Sequence, residues 1–167
     1  MKLKKIFIAC GMLAALPAMA QYEGTTVYDR IGHGEDSINT LGNIVLYKDY
    51  YKAKDYMSAY GPWKEVLEKA PCAEVSTYAY GAAIVANVLV KEADMAKKKT
   101  YFNELMNLYD TRLKNLDALN SFTKPNKRAT KGDILARKAF DYAYYGAGVA
   151  DNYSLDNAYK QFREAID

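Results

Sequence analysis

The chain has 167 residues, with 23 Lys and Arg against 20 Asp and Glu, hence a formal charge of +3. The whole excess sits in Lys2, Lys4 and Lys5, so from residue 21 onward there are 20 charges of each sign. No basic domain or stripe of the kind a nucleic-acid binder carries is present, and two cysteines without a CxxC spacing argue against a structural zinc or dithiol site.

The first 20 residues read as an export signal. Three lysines precede an apolar stretch from Ile6 to Ala18, and Ala18-Met19-Ala20 offers a small-x-small cleavage site before Gln21. The stretch is shorter than the roughly 20 residues a membrane-spanning helix needs. A lipoprotein signal would place a cysteine at the cleavage point, and Cys10 follows too few apolar residues for that role. Removing 20 residues from 167 leaves 147, a length that suits one domain. Cys72 is then alone, so no intramolecular disulfide is available. It is either a small buried hydrophobe or a thiol free to pair with another chain.

Residues 21–35, with Gly24, Gly32 and Gly34, read as a flexible lead-in. Asp36 or Ser37 can cap a first helix, in which Ile38, Leu41 and Val45 form a helical stripe widened by Leu46 and Tyr50. It is expected to end near Lys54-Asp55. A second helix starts at Tyr56, or at Pro62 with proline in its first turn, and stops at Pro71. Its face holds Ala59, Trp63, Val66 and Leu67. Thr77 to Lys91 is a third helix, rich in small and apolar residues. A fourth runs from about Ala93 to Leu116, where Phe102, Leu105, Tyr109, Leu113 and Leu116 recur every three or four residues. Asn120 to Gly132 is a loop by composition. Asp133 caps a fifth helix, Ile134 to Tyr145, and after the turn at Asp151 a sixth runs from Leu155 to Ile166. No alternating run calls for a strand. The fold class expected is all-α, with about six helices paired through short turns over residues 36–167.

A repeat is visible in this pattern. Leu46, Tyr50, Tyr56, Ala59, Trp63, Leu67 and Pro71 fall in an order that resembles the tetratricopeptide repeat. Gly81 lies 34 residues after Tyr47, one repeat length, and is the small residue that family places at close helix approach. Tyr47 departs from the pattern at the equivalent place. Gly146, Ala158, Phe162 and Ala165 give a third match, whereas the middle repeat loses register because its second helix is overlong. Leu46 to Tyr56, Pro62-Trp63 and Ala70-Pro71 also resemble the first repeat of secreted repeat proteins of the Bacteroidetes cell envelope. The resemblance implies a right-handed solenoid of antiparallel helix pairs, either a short form or the N-terminal part of a longer array. It also implies a non-catalytic scaffold in the periplasm or at the cell surface that binds a protein or peptide segment, with further repeats or self-association open to it.

Few residues suit catalysis or metal binding. His33 is the only histidine and lies beside Glu35 and Asp36. A metal site needs several convergent ligands, so it reads as a solvated loop residue rather than a ligand or base. Glu65 and Glu68, interleaved with Lys64 and Lys69, read as a solvated face, as does Lys97-Lys98-Lys99. The loop carrying Lys124, Lys127, Arg128 and Lys131 reads first as a plain solvated loop, with an acidic partner or a phosphate-rich surface as the alternative. No catalytic residue, cofactor or metal is expected. Of the 16 tyrosines, Tyr47, Tyr51, Tyr60, Tyr80 and Tyr144 are the candidates for an exposed, partner-binding face. Tyrosine also suits sugar surfaces, which leaves a glycan-binding module of nutrient uptake as the rival function.

Overall fold

The computed structural model describes residues 26–31 and 34–166. The leader and His33 lie outside the described residues. Every regular element among those described is helical: α1 (Val27–Arg30), α2 (Glu35–Lys52), α3 (Tyr56–Lys69), α4 (Ser76–Lys91), α5 (Met95–Lys114), α6 (Leu116–Ser121), a 3-10 turn (Pro125–Lys127), α7 (Lys131–Tyr145) and α8 (Leu155–Glu164). The all-α expectation therefore holds, with eight α-helices among the described residues rather than about six. None of them is long and apolar enough to cross a membrane.

The two extra helices have local causes. In the expected flexible lead-in, Thr26 and Asp29 form a reciprocal capping box that closes α1. Ile31 is buried behind it, Arg30 Nε donates to the Ala73 carbonyl at 3.0 Å, and the guanidinium lies 3.8 Å from the Phe122 ring centroid. Residues 26–31 are thus docked on the core, not a free lead-in. At the other break, Asn115 ends α5 by donating its side-chain amide to the Thr111 carbonyl, and the chain restarts as α6.

Capping follows ordinary side-chain chemistry. Asp55, Asp94, Thr130 and Ser154 each accept from a backbone amide three residues on, which satisfies donors that a helix start leaves free. Pro62 lies inside α3, not at its start. It follows Gly61, whose missing Cβ removes part of the clash that proline imposes on the residue before it.

The stripe expected on the first helix is out of phase. Thr40, Ile44 and Tyr47 are the buried residues of α2, whereas Ile38, Val45, Leu46 and Tyr50 are exposed. Apolar side chains lie on all sides of this helix, so their spacing alone could not choose the inner face. Two polar residues chose it. Thr40 satisfies its hydroxyl on the Asp36 carbonyl at 2.8 Å, and the Tyr47 hydroxyl lies 3.3 Å from that of Thr77. A buried hydroxyl is tolerated when it has such a partner.

Each helix packs mainly on its neighbour in sequence: α2 on α3, α3 on α4, α4 on α5, α5 on α7 and α7 on α8. One apolar core unites Tyr47, Trp63, Tyr78, Ile84, Leu105 and Ile134 from α2, α3, α4, α5 and α7. Its tightest point is Gly81. A Cβ there would lie 2.3 Å from Trp63 Nε1, so only glycine lets α4 approach the indole face. That indole nitrogen donates to the Thr77 carbonyl at 2.8 Å. Gly146 instead ends α7, where a Cβ would meet the Tyr142 carbonyl at 2.5 Å and the Phe102 ring at 3.3 Å. Of the other repeat-pattern residues, Ala59 and Ala158 are buried, Tyr56, Leu67, Pro71 and Ala165 are half-buried, and Phe162 is exposed.

Candidate functional site: a groove between α4 and α7

The five candidate tyrosines do not form one surface. Tyr47 is fully buried, which removes it from any partner-binding face. Tyr51 and Tyr80 stack at 4.2 Å between ring centroids, with Tyr47 and Tyr56 edge-on to them. Tyr60 lies edge-on to Tyr101 and donates its hydroxyl to Glu104 at 2.5 Å. Lys64 binds the same carboxylate at 2.7 Å. Burial, with Glu104 beside it, pushes the Tyr60 hydroxyl well above the usual phenol range. The hydrogen bond to Glu104 holds the Lys64 ammonium above its ordinary value. These tyrosines therefore join α2, α3, α4 and α5, and their offset and edge-on geometry favours that packing. Tyr144 alone of the five is widely exposed.

A broad concavity lies elsewhere. A groove of about 830 Å³ runs between α4 and α7, over part of α5. Its α4 wall is Ala79, Ala82, Ala83 and Ala86, at spacings of three, one and three that place them on one helical face. Short side chains let a ligand's backbone come close. The α7 wall carries Asp133, Ala136, Arg137, Phe140, Asp141 and Tyr145, while α5 contributes Tyr109 and Arg112. Lys127 and Ala129 from the preceding loop and Phe162 from α8 complete the rim.

The charges in the groove are unequally engaged. Asp133 accepts from the Thr130 amide and hydroxyl, both at 2.8 Å, and these bonds hold its carboxyl below the usual range. Asp141 accepts from the Tyr109 hydroxyl at 2.5 Å. Burial raises the Asp141 carboxyl against that bond, and burial followed by the neighbouring carboxylate pushes Tyr109 well above the phenol range. Both carboxylates also feel the arginines: Arg137 favours the charged form of Asp133 and of Asp141, and Arg112 that of Asp133. Arg112 and Arg137 take part in none of the ion pairs among the described residues. Arg112 is half-buried, and its affinity for its proton is lowered first by that burial and then by the charge of Arg137. The half-buried guanidinium of Arg112 and the exposed one of Arg137 present fork-shaped donors suited to a carboxylate.

No cluster of His, Cys, Asp and Glu fit to hold a metal ion occurs among the described residues. Cys72 is half-buried and donates to Asn115 Oδ1 at 3.2 Å, and burial raises its thiol pKa. Of the basic loop, only Lys127 reaches the groove. Glu65 accepts from Asn43 and pairs with Lys69, and Lys99 pairs with Asp151 on the surface. Of the groove residues, Tyr109 is marked by the sequence only as part of the apolar stripe of its helix, and Arg112, Arg137 and Asp141 are not marked as site residues at all. The alanine spacing on α4 was the available signal, since a smooth face on an otherwise apolar helix marks a close approach. No protein-family model matches the chain, and no curated protein or solved structure matches it either.

Proposed function

We propose that the chain is an exported, non-catalytic helical-repeat scaffold of the tetratricopeptide kind, and that it binds an extended protein segment bearing acidic side chains in the α4–α7 groove. The observation that carries this reading is the groove itself: a wall of alanines facing two guanidiniums that form none of the ion pairs among the described residues, with Asp133 and Asp141 as their nearby counter-charges. Backbone of an extended segment fits against the alanines, and its carboxylates meet Arg112 and Arg137. The neighbour-on-neighbour packing of the helices and the close contact of Gly81 with Trp63 support a solenoid of antiparallel helix pairs. Met1 to Ala20 supports delivery to the periplasm or cell surface.

The test is binding of extended peptides of graded negative charge to the chain lacking its leader, read by fluorescence anisotropy. Acidic peptides bind, more weakly as salt rises, and the Arg112→Gln, Arg137→Gln double variant loses about two orders of magnitude, or roughly 3 kcal/mol for two charge-assisted contacts. Equal binding of neutral and acidic peptides, or an unaffected double variant, sinks the proposal. A glycan-binding function is the second reading, favoured by the exposed rings of Phe140 and Tyr144, stacked 6.0 Å apart within 9° of parallel. Retention on a polysaccharide column, abolished by Phe140→Ala with Tyr144→Ala, would support it.

A further inference from the structure

The outer face of α8 carries an apolar stripe that no element among the described residues covers. Leu155 is 77% exposed, Tyr159 64%, Phe162 36% and Ile166, just past the helix end, 86%. Their spacing of four, three and four is the seam of a coiled coil, in which apolar residues recur every 3.5 positions on average. The opposite side of α8 is already used: Ala158 is buried and the helix packs on α7. An exposed stripe of this size marks an interaction surface.

We propose that the α8 stripe is the interface of a two-fold symmetric homodimer, formed by antiparallel pairing with α8 of a second copy. The flanking charges select both the occupant and the direction. In the heptad set by Leu155, Tyr159, Phe162 and Ile166, the residues beside the seam are Asp156 and Arg163 on one flank and Ala158 and Ala165 on the other. Antiparallel helices bring like flanks together, so Asp156 of each copy meets Arg163 of the other, twice by symmetry. A parallel pair would set the charged flank against the alanines and leave both charges without a partner. The antiparallel arrangement also keeps the alanine flanks, and α7 behind them, on one side of the seam. Phe140 and Tyr144 of α7, both exposed, add apolar surface there, and Phe140 and Phe162 both line the groove rim. At roughly 200 Å² for a large apolar side chain, the exposed parts of these six residues come to about 800 Å² per copy, the share of one partner in a standard interface. This inference does not depend on the peptide-binding reading of the groove.

The test is sedimentation equilibrium of the chain lacking its leader over a wide concentration range. A reversible dimer is expected. Leu155→Glu with Ile166→Glu makes it monomeric while the helical circular dichroism is retained, because both side chains lie outside the core. Asp156→Arg alone and Arg163→Asp alone each weaken the dimer by about tenfold, since symmetry applies each change twice. The double variant, with the two charges exchanged, recovers wild-type affinity. Four results overturn the proposal: a monomer at all concentrations, a dimer indifferent to Leu155→Glu with Ile166→Glu, a double charge exchange that fails to recover, or a monomer whose α8 face instead binds phosphatidylcholine vesicles.

Discussion

Replacing Gly81 with Ala tests the central contact of the fold with a sign that is not obvious in advance. In an exposed helix interior, Gly→Ala stabilises by about 1 kcal/mol. At Gly81 the added methyl would lie 2.3 Å from Nε1 and 2.5 Å from Cε2 of Trp63. The indole cannot slide away freely, because it is 2% exposed and tied to the Thr77 carbonyl at 2.8 Å. Overpacking of this kind costs about 1–3 kcal/mol, and displacing the ring from Thr77 costs about 1 kcal/mol more. Against the helix-propensity gain, the net expectation is a loss of about 2 kcal/mol. Urea unfolding followed by circular dichroism gives the stability. Fluorescence reports the site directly, since Trp63 is the only tryptophan. Gly42→Ala is the control: nothing lies within 4 Å of its Cβ, so that variant gains about 1 kcal/mol. If Gly81→Ala is as stable as the wild type, or more so, then α4 does not press on Trp63 and the packing described here is wrong.

Further outcomes follow from single groups. Pro62→Ala is expected to stabilise the chain by about 2 kcal/mol, because proline inside α3 both lacks an amide and crowds the Ser58 carbonyl; an unchanged urea midpoint would place Pro62 outside the regular helix. Burial raises the Tyr47 hydroxyl from 10.0 to about 12. A raised folded-state pKa contributes stability that is complete below pH 10 and disappears as pH climbs from 10 toward 12. Up to about 3 kcal/mol is lost over that window, at 1.36 kcal/mol per unit. Tyr47→Phe costs about 1 kcal/mol at neutral pH, by leaving the Thr77 hydroxyl short of a partner, and it flattens the alkaline decline. Equal slopes for the two proteins between pH 10 and 12 would show that Tyr47 is not buried.

The helical class and most element boundaries were legible in the residue order alone. They depend on local chemistry such as the strong period of α5, whereas the caps read from sequence were displaced: Thr130 rather than Asp133 caps α7, with Asp133 closing on it from the first turn, and Gly34 rather than Asp36 or Ser37 precedes α2. The sequence reading also set Gly81 apart as a small residue, and a Cβ there would meet Trp63. What stayed hidden depends on groups far apart in sequence. The inner face of α2 was misread because apolar residues surround it, and Tyr47 is drawn inward by a hydroxyl 30 residues away on Thr77. The lead-in reads as polar and Gly-rich, yet Arg30 finds Ala73 across 43 residues. Tyr51, Tyr60 and Tyr80 look like a binding face until their partners on other helices are known. The groove is the clearest case: Arg112 and Arg137 are ordinary surface arginines in the sequence. Only the packing of α5 against α7 sets them in one half-desolvated concavity while Thr130 and Tyr109 occupy the nearby carboxylates. Local propensity and capping decide where a helix begins and ends. Which side of it faces inward, and which charges are left without partners, is decided by the neighbours it meets.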